Sequence, residues 1–373
     1  MKKHIYISVT NDLVSDQRIH RIASVLSESQ ATVTLIGRKL NESPDFSSEL
    51  FKIKRFKLLF QKGFLFYATF NIRLFFYLVT RKYCNFLVAN DLDTLPANFL
   101  VSKLRKTKII YDSHEYFTES PELVHRKKIQ KFWLYLEKLL LPRVKFAYTV
   151  NSSLASIYSS LYNVNFRVIR NVPLLNKKII SVSIPEKLNG KKIIIYQGAV
   201  NLGRGIENVL LAMKNIPEIA FIIAGYGDIY PDIQKMVTQM NLNKRVYLTG
   251  RLLPEQLAGL TPQCDIGISP ELNMGKNYYY ALPNKLFSYM HAGIPVLTSD
   301  FPEMRKIVEK NDIGLTFESS NLPDLINKIE YMITNKEKIE KWKKNALEAA
   351  KIYCWENEQK ELKMLYTKVG LKF

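Results

Sequence analysis

The sequence is poor in cysteine. Its three cysteines, Cys84, Cys264 and Cys354, are odd in number and far apart, and no pair has the Cys-x-x-Cys spacing of a zinc or redox site. A disulfide framework of the kind that small secreted proteins use is therefore excluded. We expect a protein of a reducing compartment such as the cytoplasm.

Long uninterrupted apolar runs are also missing. The longest, residues 64–79, contains Asn71 and Arg73 and falls short of the roughly 20 clean residues that cross a bilayer. The first residues, MKKHIYISVT, predict a strand where a secretion signal would need an apolar stretch and a small-residue cleavage site. We therefore expect neither a membrane-spanning helix nor a secretion signal.

Acidic residues are scarcer than basic ones. The 373 residues include 54 basic and 34 acidic ones, a net charge of +20, and residues 1–187 hold 30 of the basic and 14 of the acidic ones. This asymmetry indicates an anionic partner for the first half: nucleic acid, a phospholipid surface or a polyanionic substrate. Since 47% of the residues are hydrophobic, a chain of this length can bury the cores of two domains.

Short β-branched runs recur in two series, and each run precedes a segment with helical spacing. The first series is HIYISVT (4–10), TVTLIG (32–37), NFLVAN (85–90), KIIYDSH (108–114), FAYTVNS (146–152) and FRVIRN (166–171). The second is KIIIYQG (192–198), AFIIAG (220–225), RVYLTG (245–250), DIGISP (265–270), PVLTSD (295–300) and GLTFES (314–319). This alternation predicts an α/β protein with two doubly wound, Rossmann-like parallel-sheet domains and a ligand cleft between them. We expect the domains at 1–171, with a last helix at about 355–373 packing back on it, and at 172–354.

Two basic and aromatic segments stand out in the first half. Residues 51–83 and 126–138 interleave Lys and Arg with Phe, Tyr, Trp and Leu, which is typical of an interfacial helix on an anionic membrane. The alternative is a buried helix with solvated flanks. Nucleic acid is the weaker candidate partner, because no RNA-binding or helix-turn-helix signature occurs.

A strand-turn-helix pattern surrounds Lys285. Pro283 and Asn284 can begin a helix, and Gly293 ends it before the next strand. Lys285 then lies in the first turn, where free backbone N–H groups already favour an anion. We predict that Lys285 binds phosphate; the alternative is a surface lysine facing solvent.

A glycine-containing loop opens the second series. Gly198, Gly203 and Gly205 follow a predicted strand and allow the backbone to approach a ligand closely. Arg204 adds a forked cation suited to phosphate oxygens. Together with Lys285 it would clamp a diphosphate, although the glycines alone are equally compatible with a simple turn.

In order and spacing, the chain resembles family 4 glycosyltransferases. The segments that carry this resemblance are NDLVSDQRIHRIA (11–23), YDSHEYFTESPEL (111–123), VIRNVP (168–173), YQGAVNLGRGIE (196–207), AFIIAGYGD (220–228), VYLTGRLLPEQL (246–257), DIGISP (265–270) and LPNKLFSYMHAGIPVL (282–297). The resemblance implies the GT-B fold and retention of anomeric configuration without a metal or cofactor. It also implies that the second domain holds a UDP- or GDP-sugar and the first holds the acceptor.

The resemblance also assigns further residues. His114 matches the family's histidine near the donor sugar, and Asn11 and Asp16 match the acceptor side, although Asp16 can equally cap the next helix. Gly225 and Gly227 match the family's glycine turn beside the nucleotide; they lack the third glycine and downstream acid of a dehydrogenase turn.

The chain departs from the family at three positions. Tyr280 and Ser288 stand where many members have two glutamates, and Ala199 replaces the first cation of the phosphate loop. Ser288 still offers one hydrogen bond to a ribose, and Glu271 is a candidate donor contact from another loop. Weak or lost activity therefore remains an alternative.

Asp91 and Asp93 form an Asp-x-Asp sequence that resembles the metal motif of the other main glycosyltransferase fold. That fold lacks two series of strands, so we interpret these residues as a helix cap.

The sequence as a whole predicts a retaining glycosyltransferase that transfers a sugar to a glycan or lipid-linked acceptor in cell-surface polysaccharide biosynthesis. It is expected at the inner face of the cell membrane, held there by the basic first domain. The alternatives are a sugar-nucleotide epimerase on the same fold and a catalytically silent relative that binds glycan or membrane.

Overall fold

The computed structural model describes residues 2–14, 16–175 and 178–373. It separates into two compact units, the first formed by Met1–Asn171 and Glu358–Phe373 and the second by Val172–Asn357. Each unit is built on one parallel sheet with helices packed against it. The predicted α/β class, with two Rossmann-like sheets, is confirmed.

The first unit contains a seven-stranded sheet. Its strands are β1 (His4–Asp12), β2 (Thr32–Lys39), β3 (Lys52–Lys57), β4 (Phe86–Asn90), β5 (Lys108–Ser113), β6 (Phe146–Thr149) and β7 (Phe166–Val168). They lie in the order β3-β2-β1-β4-β5-β6-β7. The central strand β4 is buried over its whole length, as expected where helices cover both faces of a parallel sheet.

Strand β3 corrects the sequence prediction for residues 51–83. The sequence predicts an interfacial helix in this segment, with a buried helix as the alternative, but Lys52–Lys57 is a strand that pairs in parallel with β2. Its two apolar residues, Ile53 and Phe56, are three positions apart and so lie on opposite faces of the strand; Phe56 is buried in the core, whereas the lysines are exposed at the sheet edge. Lysines on such an edge also oppose pairing with another chain.

The helices of the first unit connect these strands. They are α1 (Gln17–Ser27), α2 (Gly63–Val79), α3 (Asp91–Arg105), α4 (Pro121–Val124), α5 (Lys127–Leu140) and α6 (Ser152–Tyr162). Helix α2 buries Phe66, Phe70, Leu74 and Leu78 against the sheet. These four residues recur every fourth position and so form one stripe of the helix.

The second unit contains a six-stranded sheet. Its strands are β8 (Lys192–Gln197), β9 (Ile219–Ala224), β10 (Val246–Gly250), β11 (Ile266–Ser269), β12 (Val296–Ser299) and β13 (Gly314–Phe317), in the order β10-β9-β8-β11-β12-β13. Its helices are α7 (Ile206–Ala212), α8 (Tyr230–Gln239), α9 (Pro254–Leu260), α10 (Lys276–Tyr279), α11 (Asn284–His291), α12 (Pro302–Asn311), α13 (Leu322–Thr334) and α14 (Lys336–Ile352). Two hydrophobic clusters form the core of this unit.

Both sheets reverse their strand order once. In the first unit the reversal lies between β1 and β4, and in the second between β8 and β11. The loops that follow such strands diverge and leave a crevice at the carboxyl ends, where α/β proteins bind ligands. The loops after β1, β4, β8 and β11 are therefore the places to look for a site, and the loop after β5 lies next to the loop after β4 in the sheet.

The last helix, α15 (Trp355–Val369), begins in the second unit and ends in the first. Within the first unit it contributes Glu358, whose carboxylate accepts hydrogen bonds from the backbone and side chain of Arg170. Among the described residues, no helix combines the length and the apolar character that crossing a membrane would take.

Candidate functional site

Lys285 lies where the sequence placed it, in the first turn of α11 and two residues after Pro283. The side chain does not face solvent, so that alternative interpretation is wrong. Its Nζ atom lies 2.6 Å from Oε1 of Glu271 and 4.0 Å from the ring centre of Tyr196. Burial lowers the pKa of Lys285 to about 8, although the carboxylate of Glu271 opposes this change.

Arg204 reaches the same carboxylate from the loop after β8. Its NH1 atom lies 3.8 Å from Oε1 of Glu271, and its guanidinium lies 4.9 Å from the ring centre of Tyr278. Since Lys285 and Arg204 contact one oxygen atom, the two cations converge. The sequence proposed that they act as a pair, and the fold brings them together.

Gly205 sets the path of the Arg204 loop. Its φ is +70°, and a Cβ at this position would lie 1.7 Å from the carbonyl oxygen of Pro270. Only glycine allows the loop after β8 to pack this closely on the loop after β11. The close approach places Arg204 beside Glu271, the residue that follows Pro270.

The other predicted donor-binding glycines lie in the loops after β8 and β9. A Cβ at Gly225 would lie 1.7 Å from the carbonyl oxygen of Gly198, and one at Gly227 would lie 2.5 Å from that of Val200. A Cβ at Gly203 would lie 2.5 Å from Cγ of Met274. These glycines allow the loops to pack closely on neighbouring segments; their contact with a ligand stays a prediction.

Glu271 is the centre of this cluster. It is fully buried, and its Oε2 atom accepts a 2.6 Å hydrogen bond from Ser269. Burial alone would raise its pKa, but the charges of Lys285 and then Arg204 hold the pKa of Glu271 below its usual value. The carboxylate is therefore ionised between two cations.

The structure does not bring every predicted donor residue into this cluster. Asn284 is exposed at the start of α11, and Ser288 lies one turn later, with its hydroxyl 3.4 Å from the carbonyl oxygen of Asn284. Tyr280 packs its ring against Tyr279. Ala199 is exposed, and its carbonyl oxygen accepts a hydrogen bond from the Tyr196 hydroxyl at 2.6 Å.

A second cluster forms in the first unit around His114, which follows β5. Its Nε2 atom lies 3.0 Å from Oδ2 of Asp112, and its Nδ1 atom lies 3.5 Å from Oδ2 of Asp91. Burial would lower the pKa of His114, but the two carboxylates raise it to about 9. The imidazole is therefore protonated at neutral pH and acts as a hydrogen-bond donor, not as a general base.

Sequence reasoning missed the partners of His114. Asp112 also accepts a 2.9 Å hydrogen bond from the buried Arg18, so it carries two cationic neighbours. The available signal was the Asp-x-His spacing at the end of a predicted strand. Arg18 is remote in sequence and offered no signal, because α1 places it beside β5 only in the folded unit.

The helix-cap interpretation of Asp91 and Asp93 is wrong. The N-cap of α3 is Asn90, without a side-chain cap bond, and Oδ1 of Asp91 accepts instead from the backbone N–H of His114 at 2.8 Å. Asp93 lies 2.5 Å from the Thr10 hydroxyl, and burial, followed by the charge of Asp91, raises the pKa of Asp93 to about 8. Within the described part of the chain, no group of three His, Cys, Asp or Glu residues is arranged to hold a metal ion.

Asp16 and Asn11 lie near the start of α1. Asp16 is the N-cap of that helix and accepts from the backbone N–H of Ile19 at 3.1 Å. Its other oxygen accepts a 2.6 Å hydrogen bond from the Asn11 amide. The capping role of Asp16 is thus observed, and acceptor contact by either residue stays a prediction.

Comparisons with known proteins show what the chain is similar to in sequence and in fold. Residues 180–349 match the model of the family described as glycosyl transferases group 1. The α-D-kanosaminyltransferase of Streptomyces kanamyceticus is 24% identical over 190 residues, which cover 49% of this chain and 47% of the relative. The chain thus spans about half the length of this curated relative.

Solved structures share the fold over nearly the whole chain. Sucrose-phosphate synthase from Thermosynechococcus elongatus superposes with a TM-score of 0.79 at 20% identity, covering 99% of both chains. Anabaena HepE in complex with UDP-glucose has a TM-score of 0.73 at 14% identity, covering 98% of this chain and 99% of the other. Residues 180–349 are therefore similar to the glycosyl transferases group 1 family, and the solved structures show the same fold over both units.

Proposed function

We propose that this protein transfers a sugar from a nucleotide-diphosphate sugar to a glycan or lipid-linked acceptor, with retention of anomeric configuration. The observation that carries the proposal is the convergence of Lys285 and Arg204 on one oxygen of Glu271. This pair lies beyond the carboxyl ends of β8 and β11, where the strand order reverses and where α/β proteins bind nucleotides. HepE, a structural neighbour, was solved with UDP-glucose, which supports a UDP- or GDP-sugar as donor.

In this proposal the two cations stabilise the departing diphosphate. Arg204 and Lys285 supply the positive charge that a divalent ion supplies in other transferases, so the reaction needs neither metal nor cofactor. A diphosphate oxygen takes the proton of the attacking acceptor hydroxyl. His114, protonated and held by Asp112, donates a hydrogen bond to a sugar hydroxyl and aligns it.

The test is a screen of UDP- and GDP-sugars that measures release of nucleotide diphosphate with and without candidate acceptors. We expect Lys285→Ala and Arg204→Ala each to lower turnover at least about a hundredfold, because each removes a charge that stabilises the transition state. Lys235→Gln is the matched control, since Lys235 is exposed and its ion pair is with Asp232 on its own helix. Unchanged turnover in both alanine variants would reject the phosphate roles.

The same screen separates the alternatives. An epimerase converts the free donor when no acceptor is present, whereas a transferase at most hydrolyses it slowly. Calorimetry with the nucleotide panel identifies a silent relative, because such a protein would bind none of them.

We further propose that the first unit binds the anionic inner face of the cell membrane through helices α2, α3 and α5. Phe64 and Phe76 on α2 are 68% and 61% exposed, although the opposite stripe of this helix is buried. The ring of Phe64 also contacts that of Phe132 on α5, with 6.3 Å between centroids. The exposed apolar residues of this face are Phe64, Leu65, Ile72, Phe76, Leu100, Leu104, Ile129, Phe132, Tyr135 and Leu139.

Basic side chains on the same three helices support a lipid partner. Exposed cations include Arg73 on α2, Lys103 on α3, and Lys127, Lys128 and Lys131 on α5. Aliphatic side chains offer nothing to the phosphate backbone of a nucleic acid, but they bury well among acyl chains beside cations that contact lipid headgroups. This placement fits a cytoplasmic enzyme of cell-surface polysaccharide biosynthesis with a lipid-linked acceptor.

A further inference from the structure

Glu271 places a negative charge at the site where the proposed donor would bring more negative charge. Its Oε1 atom lies 2.6 Å from Nζ of Lys285 and 3.8 Å from NH1 of Arg204. Arg204 is 27% exposed, whereas Glu271 is fully buried. The carboxylate is therefore shielded from solvent, and Arg204, which is more exposed than Lys285, is the cation that a ligand would contact first.

Neighbouring hydroxyl groups hold Glu271 at both ends. Ser269 donates to Oε2 of its carboxylate at 2.6 Å. Ser299 and Ser319 donate to its backbone carbonyl oxygen at 2.7 Å and 3.1 Å. Both carboxylate oxygens accept hydrogen bonds inside the unit, so Glu271 is fixed in place. This favours a role in holding the two cations over a direct contact with the donor sugar.

Burial makes the charge of Lys285 dependent on this carboxylate. A buried ammonium group loses its hydration, which favours the neutral amine. Arg204 also lowers the pKa of Lys285, whereas the charge and the hydrogen bond of Glu271 raise it. Without Glu271, two cations would face each other at a site with little solvent, and Lys285 would lose its proton more readily.

We propose that Glu271 is a positioning residue that fixes Lys285 and Arg204 as a cation pair and keeps Lys285 protonated for an incoming diphosphate. This inference rests on the proposed function for its ligand. The effect of Glu271 on the protonation of Lys285 concerns the protein alone and is measurable without a ligand. The three charges sum to +1, so the pair still attracts an anion.

The first experiment measures the titration of Lys285 without any ligand. The full-length protein is labelled with limiting acetic anhydride between pH 6 and 10, and acetylation of Lys285 is read by mass spectrometry. We expect Glu271→Gln to shift the midpoint of labelling at least one pH unit downward, equivalent to about a tenfold increase in reactivity at pH 7. Glu309→Gln is the matched control, because it removes an exposed carboxylate of the same unit.

A second variant protects the test against misfolding of Glu271→Gln. Ser269→Ala removes the hydrogen bond to Oε2 and keeps the charge, so we expect a smaller downward shift. A midpoint unchanged in both variants would overturn the inference.

The second experiment measures UDP and GDP binding by calorimetry at pH 6 and pH 8. Glu271→Gln should bind at least about fivefold more weakly at pH 8, because a one-unit shift leaves about one tenth of Lys285 protonated instead of one half, and within about threefold of wild type at pH 6, where Lys285 regains its proton. Equal weakening at both pH values would indicate mere structural damage and overturn the inference. If wild type binds neither nucleotide, the proposed function fails, and the labelling result still decides whether Glu271 controls Lys285.

Discussion

Nε2 of His114 lies 3.0 Å from Oδ2 of Asp112, and this contact fixes the protonation state of the histidine. The second ring nitrogen, Nδ1, lies 3.5 Å from Oδ2 of Asp91, which is longer than an ordinary hydrogen bond, so its N–H is the one that we expect to donate to a ligand. A histidine that matches a family's site residue is often considered as a base. Here the carboxylates make it a cationic donor, which suits hydrogen bonding to a sugar hydroxyl.

The stability contributed by His114 should depend on pH. Because its folded pKa of about 9 lies above the ordinary 6.5, the contribution is fully present below pH 6.5 and is lost as the pH rises through 9. We expect His114→Gln to be less stable than wild type by about 1–3 kcal/mol near pH 6.5, and the difference to shrink towards pH 10. Urea unfolding at both pH values measures it, with the exposed His125→Gln as control. A difference independent of pH would contradict a protonated His114.

Removing Lys285 alone should damage the second unit. Lys285→Met leaves the fully buried carboxylate of Glu271 without its 2.6 Å partner, and breaking a buried ion pair in this way costs about 3–5 kcal/mol. The double variant Glu271→Gln/Lys285→Met carries neither charge and should recover most of that stability without recovering turnover. Thermal unfolding and the donor assay separate the two effects. A double variant as unstable as Lys285→Met would show that the charge is not the cause.

Gly205 and Gly250 form a matched pair for testing the loop contact. Their φ angles are +70° and +68°, but a Cβ would meet the carbonyl oxygen of Pro270 at Gly205 and nothing within 4 Å at Gly250. Both alanine variants carry the backbone cost of about 1–2 kcal/mol. Only Gly205→Ala should also displace Arg204 and weaken UDP or GDP binding by about tenfold or more, measured by calorimetry. Equal binding by the two variants would show that the close packing of this loop does not position Arg204.

The membrane face should be sensitive to salt and to side-chain polarity. We expect the protein to float with vesicles containing phosphatidylglycerol, with recovery falling as salt rises from about 0.05 to 0.5 M. Phe64→Ser/Phe76→Ser should lower recovery several-fold, because it removes two exposed rings from α2. Leu347→Ser/Ile352→Ser, which removes exposed apolar side chains from α14 of the second unit, is the control. No flotation, or equal loss in both double variants, would contradict this face.

The sequence predicted the fold better than the charge partners in the site. Runs such as KIIIYQG and AFIIAG are recognisable because a parallel strand buried on both faces requires consecutive apolar residues. The edge strand β3 was missed because four of the six residues of KIKRFK are charged, and the same residues suit a basic interfacial helix. Local pattern alone does not distinguish an edge strand, which forms only by pairing with another strand, from a helix, whose backbone hydrogen bonds lie within its own segment.

The same limit applies to the predicted site residues. Lys285 was placed in the first turn of a helix because proline and glycine mark helix ends locally. Its burial against Glu271, 14 residues earlier, depends on the tertiary contact between α11 and the loop after β11. The roles of Asp91 and Asp112 at His114 likewise depend on two neighbouring strands, β4 and β5, ending side by side.

By itself, the sequence determined the order of strands and helices apart from β3, the glycine loop of Arg204 and the first-turn position of Lys285, because each depends on a few adjacent residues. Only the tertiary structure decided which charges meet. Glu271 joins Lys285 to Arg204, and Asp112 joins His114 to Arg18. The physical reason is that electrostatic interactions inside a protein depend on distance and burial, and the folded chain sets both.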